Sequence, residues 1–310
     1  VSTTAVVNPG RPQRFGHRRS QQFTERVIAA VLFGCAAVTV LTTVGIVVIL
    51  FSEGLSFFRE IHPVDFLTGT RWTPASGNFG VLPLILGTLM IAVGASFISI
   101  PVGTLSAIFL AEYASPKVRS IIKPILEVLA GIPTIVYGFF ALTFITPLLR
   151  DSWLPDVGIF NALSAMIVVG IMTVPMVSSI SDDSLRAVPE SLREAAYGVG
   201  ATKFEVITRV TFPSALSGIV ASYILAISRA VGETMAVTVA AGATPHLTLN
   251  PLESVQTMTA YIVQVTQGEA PHGTIEFRTI FAIAMTLFAM TMIMNLLSAR
   301  IVSKFRERYE

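Results

Sequence analysis

An arginine and a glutamate lie inside a stretch that is otherwise apolar. Arg229 and Glu233 fall within residues 214–242, among leucines, isoleucines, valines and alanines. An ionised side chain at the centre of a bilayer costs about 2.5–3.5 kcal/mol by insertion scales, so each of these two needs a counter-charge, water or a ligand. Their i, i+4 spacing permits a self-contained ion pair, weakened by having Arg on the N-terminal side. A guanidinium also presents a planar fork of donors that suits an oxyanion, with Glu233 positioning it or gating access. Glu127, Gly131 and Thr134 form a second polar set, spaced to share one helical face that could line a polar passage. The same residues fit an interfacial carboxylate and a hydroxyl bonded to its own backbone.

Compact catalytic constellations are missing. No lysine follows a glycine, so there is no phosphate-binding loop of the GxxxxGK[ST] kind, and no GxSxG or HExxH signature occurs. Cys35 is the single cysteine. His246 and His272 have no carboxylate or cysteine at convincing ligand spacing, so no metal site is expected. Any use of ATP would fall to a separate chain, leaving this one without a bound cofactor and without enzymatic activity.

The elements that must position these groups are helices in a membrane. Hydrophobic residues make up 53% of the 310 and charged residues 13%, with a mean hydropathy of +0.71. Apolar runs long enough to cross ~30 Å of hydrocarbon at ~1.5 Å per residue occur at about residues 27–51, 80–111, 121–149, 158–180, 214–242 and 279–301. The expected fold is all-α and integral to the membrane, with six spanning helices. The short alternating segments of a β-barrel are absent.

Within this layout Gly87, Gly94 and Gly103 prepare the second span for close helix contact. Pro133 should break the third near Leu129, whose carbonyl it frees. In the fifth, Gly218, Ser222, Ala226, Ala230, Thr234 and Thr238 recur at every fourth residue as a small-residue stripe. Trp72 is placed to anchor at an interface, and a short helix is expected over residues 252–266.

The longest polar interruption on the basic side is the loop of residues 181–213, SDDSLRAVPESLREAAYGVGATKFEVITRVTFP. Ser191 with Glu194 and Thr202 with Glu205 read as two capping boxes, hence two short helices. Leu192, Ala195, Ala196 and Val199 give the first an apolar face. Gly198 and Gly200 let the chain turn before Pro213. Such an element suits a groove on a partner protein.

Sixteen of the 21 Lys and Arg precede the first span, join the second to the third, sit in this loop or close the chain. Arg59, Arg71, Arg150 and Arg278 lie on the other side, and Arg229 lies within a span. By the positive-inside rule both termini and the loop are expected to be cytoplasmic. The net charge of +2 is therefore topological and does not indicate nucleic acid. The expected organisation is a disordered basic head over 1–26, a six-span domain over 27–303 and a short cytoplasmic tail over 304–310.

Glu194-Ala195-Ala196, Gly200 after three residues, then Val210, Phe212 and Pro213 resemble the EAA loop of ABC importer permeases, with Val and Phe replacing its Ile and Leu. SRAVGETMAVTVAAGAT in the fifth span and AGIPTIVYGFFAL in the third resemble the permeases of phosphate-specific ABC importers, the C-type more than its A-type sibling. The resemblance covers about residue 25 to the C-terminus. It implies a type I importer fold with cytoplasmic coupling helices, in which Glu194, Ala195, Ala196, Gly200 and Pro213 serve ATPase coupling. It further implies phosphate as substrate, for which the polar residues Arg229, Glu233 and Thr134 are the expected pathway. The implied partners are an A-type permease, two ATPase subunits carrying ATP and Mg, an extracytoplasmic phosphate-binding protein and membrane lipid. A permease for another oxyanion and an ion-coupled secondary carrier using Glu233 as a relay are the alternatives.

Overall fold

The computed structural model describes residues 18–304 apart from residues 153, 269, 270 and 272. Residues 1–17 and 305–310 lie outside them, and with them most of the basic head, the C-terminal tail and His272. The chain divides into two units, one ending at Phe51 and one beginning at Ser52. The first is carried by α1 (Arg18–Phe57), whose Thr39 and Thr43 hydroxyls donate to carbonyls one turn back, Cys35 O and Thr39 O. The helix starts ahead of the expected span. Residues 18–26, RRSQQFTER, hold no Gly or Pro, so nothing in them stops the helix.

The second unit is helical apart from one small hairpin. After α1 come α2 (Pro63–Thr68), β1 (Trp72–Thr73) paired antiparallel with β2 (Asn78–Phe79), and α3 (Leu82–Ile108), which ends in a π-helical turn, Phe109–Tyr113. The third crossing is assembled from α4 (Pro116–Gly131), α5 (Thr134–Phe140), a π-helical stretch and α6 (Thr146–Ser152). The long α7 (Ala162–Arg186) leads to α8 (Glu190–Gly198) and α9 (Lys203–Val206), and a π-helical turn, Ile207–Thr211, joins α9 to α10 (Phe212–Ser214). The chain closes with α11 (Leu216–Val231), α12 (Met235–Ala240), α13 (Met258–Gln267) and α14 (Ile275–Lys304).

Among the described residues, four helices are long and apolar enough to cross a membrane, or up to six if each of two bent pairs is one span: Pro116–Gly131 with Thr134–Ser152, bent by 90°, and Lys203–Ser214 with Leu216–Val231, bent by 69°. Five of these fall where hydropathy places them, while the fifth begins at Lys203 and ends at Val231, ahead of the expected 214–242. α3, with 27 residues, is about 40 Å long at ~1.5 Å per residue, which exceeds the hydrocarbon thickness.

Helix α3 packs along α7 because glycine removes the side chains between them. A Cβ on Gly103 would lie 2.6 Å from Val177 Cβ, and one on Gly94 would overlap Met166. Three apolar clusters result. One joins α3, α5, α7 and α12 through residues such as Ile91, Tyr137, Val169 and Val237. A second lies at the hairpin end, where Phe57, Phe66, Trp72 and Tyr261 meet edge to face. Trp72 is thus a core residue and not an interfacial anchor, because these rings enclose it completely. The third, Ala107, Leu185, Val188, Ala215 and Ile219, supports the polar loop.

Candidate functional site

The small-residue stripe of the fifth crossing is used within this chain. A side chain on Gly218 would overlap Ser184 of α7, the hydroxyls of Ser222 and Ser181 lie 2.9 Å apart, and Ala226 and Ala230 are buried. The stripe stops where α11 stops. Gly232, Glu233 and Thr234 break the helix, so the expectation of one continuous fifth span is corrected. Gly232 has low helix propensity, and the Glu233 carboxylate, one residue ahead of the N-cap Thr234, accepts a hydrogen bond from Ala236 N at 3.1 Å in the first turn of the new helix.

This break separates the two intramembrane charges. Glu233 is buried, with 7% exposure, and its backbone carbonyl accepts from the Thr259 hydroxyl at 2.7 Å. Arg229 is exposed in the last turn of α11. It has no salt-bridge partner among the described residues, so the self-contained Arg229–Glu233 pair is not formed. Tyr137 of α5 lies within electrostatic range of Arg229. The exposed guanidinium retains its full set of donors for an anion.

The third crossing breaks at Ile132 and Pro133, with a 90° bend between the two helical parts. Pro133 frees the Leu129 carbonyl, which accepts from the Tyr137 hydroxyl at 2.8 Å and from Ile132 N at 3.3 Å. The bend also corrects the expected face of Glu127, Gly131 and Thr134, because Thr134 begins α5 while the other two belong to α4. Thr134 is half-buried, and Glu127 is exposed in a cleft whose other charged walls are Arg119, Lys123 and Arg186. Past the bend, α5 meets α12 closely: a Cβ on Gly138 would lie 2.9 Å from Val239 Cβ.

The polar loop begins later than residue 181, because α7 continues to Arg186 and buries Ser181 and Asp182. Of the two capping boxes, Thr202–Glu205 is formed: Thr202 Oγ1 accepts from Glu205 N at 3.4 Å, and Glu205 Oε2 accepts from Thr202 N at 2.9 Å. Ser191–Glu194 is not. α8 starts earlier, at Glu190 after the N-cap Pro189, so Ser191 lies inside the helix and does not cap it. At its other end α8 closes with a Schellman motif, Gly200 N donating to Tyr197 O and Ala201 N to Ala196 O, with Gly200 at φ +86°.

Leu192 is the residue that seats α8 against the bundle. Glu194 and Ala195 are exposed, Ala196 is half-buried, and Pro213 lies in α10, next to the cluster that holds Phe212. Of the face expected to be apolar, Leu192 and Ala196 are half-buried while Ala195 and Val199 are exposed, Val199 to 86%; Phe204 of α9 is 68% exposed.

Beneath the loop lies a charge cluster that the sequence reading did not single out. The Asp182 carboxylate, 1% exposed, meets Arg119 Nη2 at 2.7 Å, Arg186 Nε at 3.3 Å and Lys123 Nζ at 3.5 Å, while Asp183 takes Lys123 at 2.8 Å. Glu112 lies 3.4 Å from Arg193 of α8. The i, i+4 spacing of Asp182 and Arg186 was the signal available in the sequence. Their link to α4 depends on tertiary packing, which spacing does not encode.

On the far side of the bundle the short helix begins at Met258, later than expected, capped by the Thr257 hydroxyl. His246 lies 3.2 Å from Glu253. Among the described residues no group of three His, Cys, Asp or Glu is placed to hold a metal.

Two crossings interrupted by bends, an arginine with no salt-bridge partner among the described residues and a structured polar loop mark a chain of apolar helices able to cross a membrane. Residues 99–307 match the family described as binding-protein-dependent transport system inner membrane component, and the chain belongs to that family. It is 31% identical over 284 residues to the probable ABC transporter permease protein YqgH of Bacillus subtilis, covering 90% of this chain and 91% of that one. It is 32% identical over 274 residues to the phosphate transport system permease protein PstC of Mesorhizobium japonicum, covering 83% of each. A solved structure of a bacterial alginate ABC transporter, in complex with an alginate pentasaccharide-bound periplasmic protein, superposes with a TM-score of 0.58 at 14% identity, covering 91% of this chain and 96% of that one. That likeness shows the fold, which is of the type I importer kind.

Proposed function

We propose that this chain is the C-type permease subunit of an ATP-driven importer of inorganic phosphate in a prokaryotic plasma membrane. The observation that carries the reading is Arg229: a guanidinium exposed within an apolar helix, with no counter-ion among the described residues, in a chain whose relatives include phosphate transport permeases. Phosphate supplies the missing negative charge and acceptors that match the fork. Thr134 at the bend of the third crossing and Glu233 at the break of the fifth flank the route, with Glu233 as a positioning or gating group.

In this reading the basic ends of the helices, both termini and the polar loop are cytoplasmic. Glu194, Ala195, Ala196, Gly200 and Pro213 form the coupling surface on which an ATPase subunit seats. A homologous A-type permease completes the pathway, two ATPase subunits hold ATP and Mg, and an extracytoplasmic binding protein delivers phosphate to the face opposite the loop. ATP-driven closure of the ATPases moves α8 and α9 and, through them, the broken crossings.

Phosphate uptake in vesicles, measured with the full complex and with the ATPase subunits omitted, tests the proposal. ATP-dependent uptake that excess sulfate does not compete away is the expected result. Uptake by the permeases alone, or uptake driven by an ion gradient, would place the chain among secondary carriers instead.

A further inference from the structure

The side chains that hold the polar loop to the bundle form a linkage that docking of a partner does not by itself require. Arg193 of α8 donates through Nη2 to Leu185 O at 2.7 Å and approaches Glu112 Oε1 at 3.4 Å with the same nitrogen. Lys203, the first residue of α9, holds its Nζ 4.6 Å from the centroid of the Tyr113 ring. Two separate helices of the loop therefore grip two adjacent residues. Both of those residues belong to the π-helical turn that ends the second crossing.

Glu112 is 7% exposed, and Arg193 is the cation that reaches it. A buried carboxylate tolerates poorly the loss of a counter-charge, and among the described residues Arg193 is the one cation paired with Glu112, so the pair holds as the loop moves and carries Glu112 with it. The turn itself is a deformable place to attach, since π-helical turns are single, less regular insertions in an α-helix and recur at functional sites. Beyond Tyr113 only Ala114 and Ser115 intervene before α4, and Arg119 and Lys123 of α4 are tied to Asp182 at the end of α7. A displacement of residues 112 and 113 is thus shared by the second crossing and the broken third. The fifth crossing needs no such grip, because the chain itself runs from α9 through residues 207–211 into α10 and, past a 69° bend at Ala215, into α11.

We propose that Glu112 and Tyr113 are the input through which motion of the polar loop reaches the second and third crossings, with Arg193 and Lys203 as the positioning residues that hold this latch. The inference rests on the importer reading in one respect, that an ATPase partner moves the loop. It assigns the loop two outputs. One is continuous with the chain toward the fifth crossing, and the other is a pair of side-chain contacts toward the second.

The test uses the full complex in vesicles, with Cys35→Ser and a reporter cysteine, Leu105→Cys, on an exposed position of α3. Maleimide labelling of the reporter is compared between ADP and the vanadate-trapped ATP state, alongside ATP hydrolysis and phosphate uptake. With the latch intact the labelling rate changes between the two states. In Glu112→Gln, Arg193→Gln and Lys203→Gln that change shrinks about fivefold or more, the range of ordinary coupling between sites, while ATPase association and hydrolysis persist. The charge exchange Glu112→Arg with Arg193→Glu brings it back.

A labelling change that survives all three single substitutions overturns the latch. So does a loss that always accompanies loss of ATPase association and is not recovered by the exchange, since that is the behaviour of a merely structural contact. Lys203→Gln removes a contact at the surface and leaves the buried pair intact, which keeps the test open if the Glu112 variant does not fold. Absence of phosphate uptake by the unsubstituted complex, with nucleotide-dependent labelling preserved, would overturn the phosphate assignment and leave the latch standing.

Discussion

The carboxylates of Glu112 and Asp182, under the polar loop, are buried and each meets a cation supplied by another part of the chain. In the fifth crossing the arrangement is reversed: Glu233 is buried against a backbone amide, and Arg229 is exposed with no salt-bridge partner among the described residues. The first region is complete in its ion pairs, with Glu112 Oε1, Arg119 Nε and Arg193 Nε left without hydrogen bonds among the described residues, and can transmit force as a unit. The second is incomplete, and its missing charge is where a substrate enters the account. A buried ion pair costs desolvation that a well-packed apolar core does not, so its presence under the loop indicates a demand for fixed geometry. An unpaired guanidinium indicates a demand for an exchangeable ligand.

The difference between the regions can be broken from the complete side. Asp182→Asn leaves Arg119, Arg186 and Lys123 around a neutral amide, and should destabilise the detergent-solubilised protein by about 3–5 kcal/mol, read as a lowered midpoint of thermal unfolding. Stability equal to that of the native chain would mean that the cluster is solvated and transmits nothing. Gly200→Val comes next. Its φ of +86° lies where a β-branched residue is strained, although open space surrounds the position, so a loss of about 1–2 kcal/mol and weaker retention of the ATPase subunit in pull-down are expected.

Thr202→Ala removes the capping box and should cost about 1 kcal/mol, visible as faster amide exchange over residues 203–206 with the rest of the chain unaffected. The smallest effect belongs to the far side of the bundle. Hydrogen bonds from Thr248 and Asn250, and then from His246, hold the Glu253 carboxyl below the usual carboxylate range. The lowered value means that this contribution to loop order is complete above the ordinary carboxylate pKa. It is lost only as pH falls through the lower, folded one. Amide exchange over residues 246–254 should therefore stay slow at mildly acidic pH and accelerate below it.

Hydropathy was sufficient for five of the crossings, with shifts only at their ends, while the fifth apolar run corresponds to helices that begin at Lys203, bend at Ala215 and break again at residues 232–234. Pro133 announced the break of the third crossing, because a missing amide donor is a local property that sequence carries directly. The break in the fifth was hidden. Gly232 is a weak signal, and the carboxylate that starts α12 looks in sequence like half of an ion pair. The same helical period that suggested Arg229 with Glu233 also suggested Glu127 with Thr134. Both expectations failed for one reason: residues spaced by four or seven share a helical face only while the helix continues. Thr202 with Glu205 formed its box because the turn before it fixes where α9 starts, whereas Pro189 moved the start of α8 and left Ser191 inside the helix.

The central claim is that Arg229 answers to a substrate and not to a residue of its own chain. The direct measurement is phosphate uptake by the reconstituted complex with Arg229→Gln, together with ATPase association and the thermal midpoint of the permease. A drop in uptake of about tenfold to a hundredfold, with association and midpoint unchanged, is predicted from the loss of a charge-assisted contact to the anion. Unchanged uptake, or a fall that follows a lowered midpoint, would contradict it and make Arg229 a structural residue.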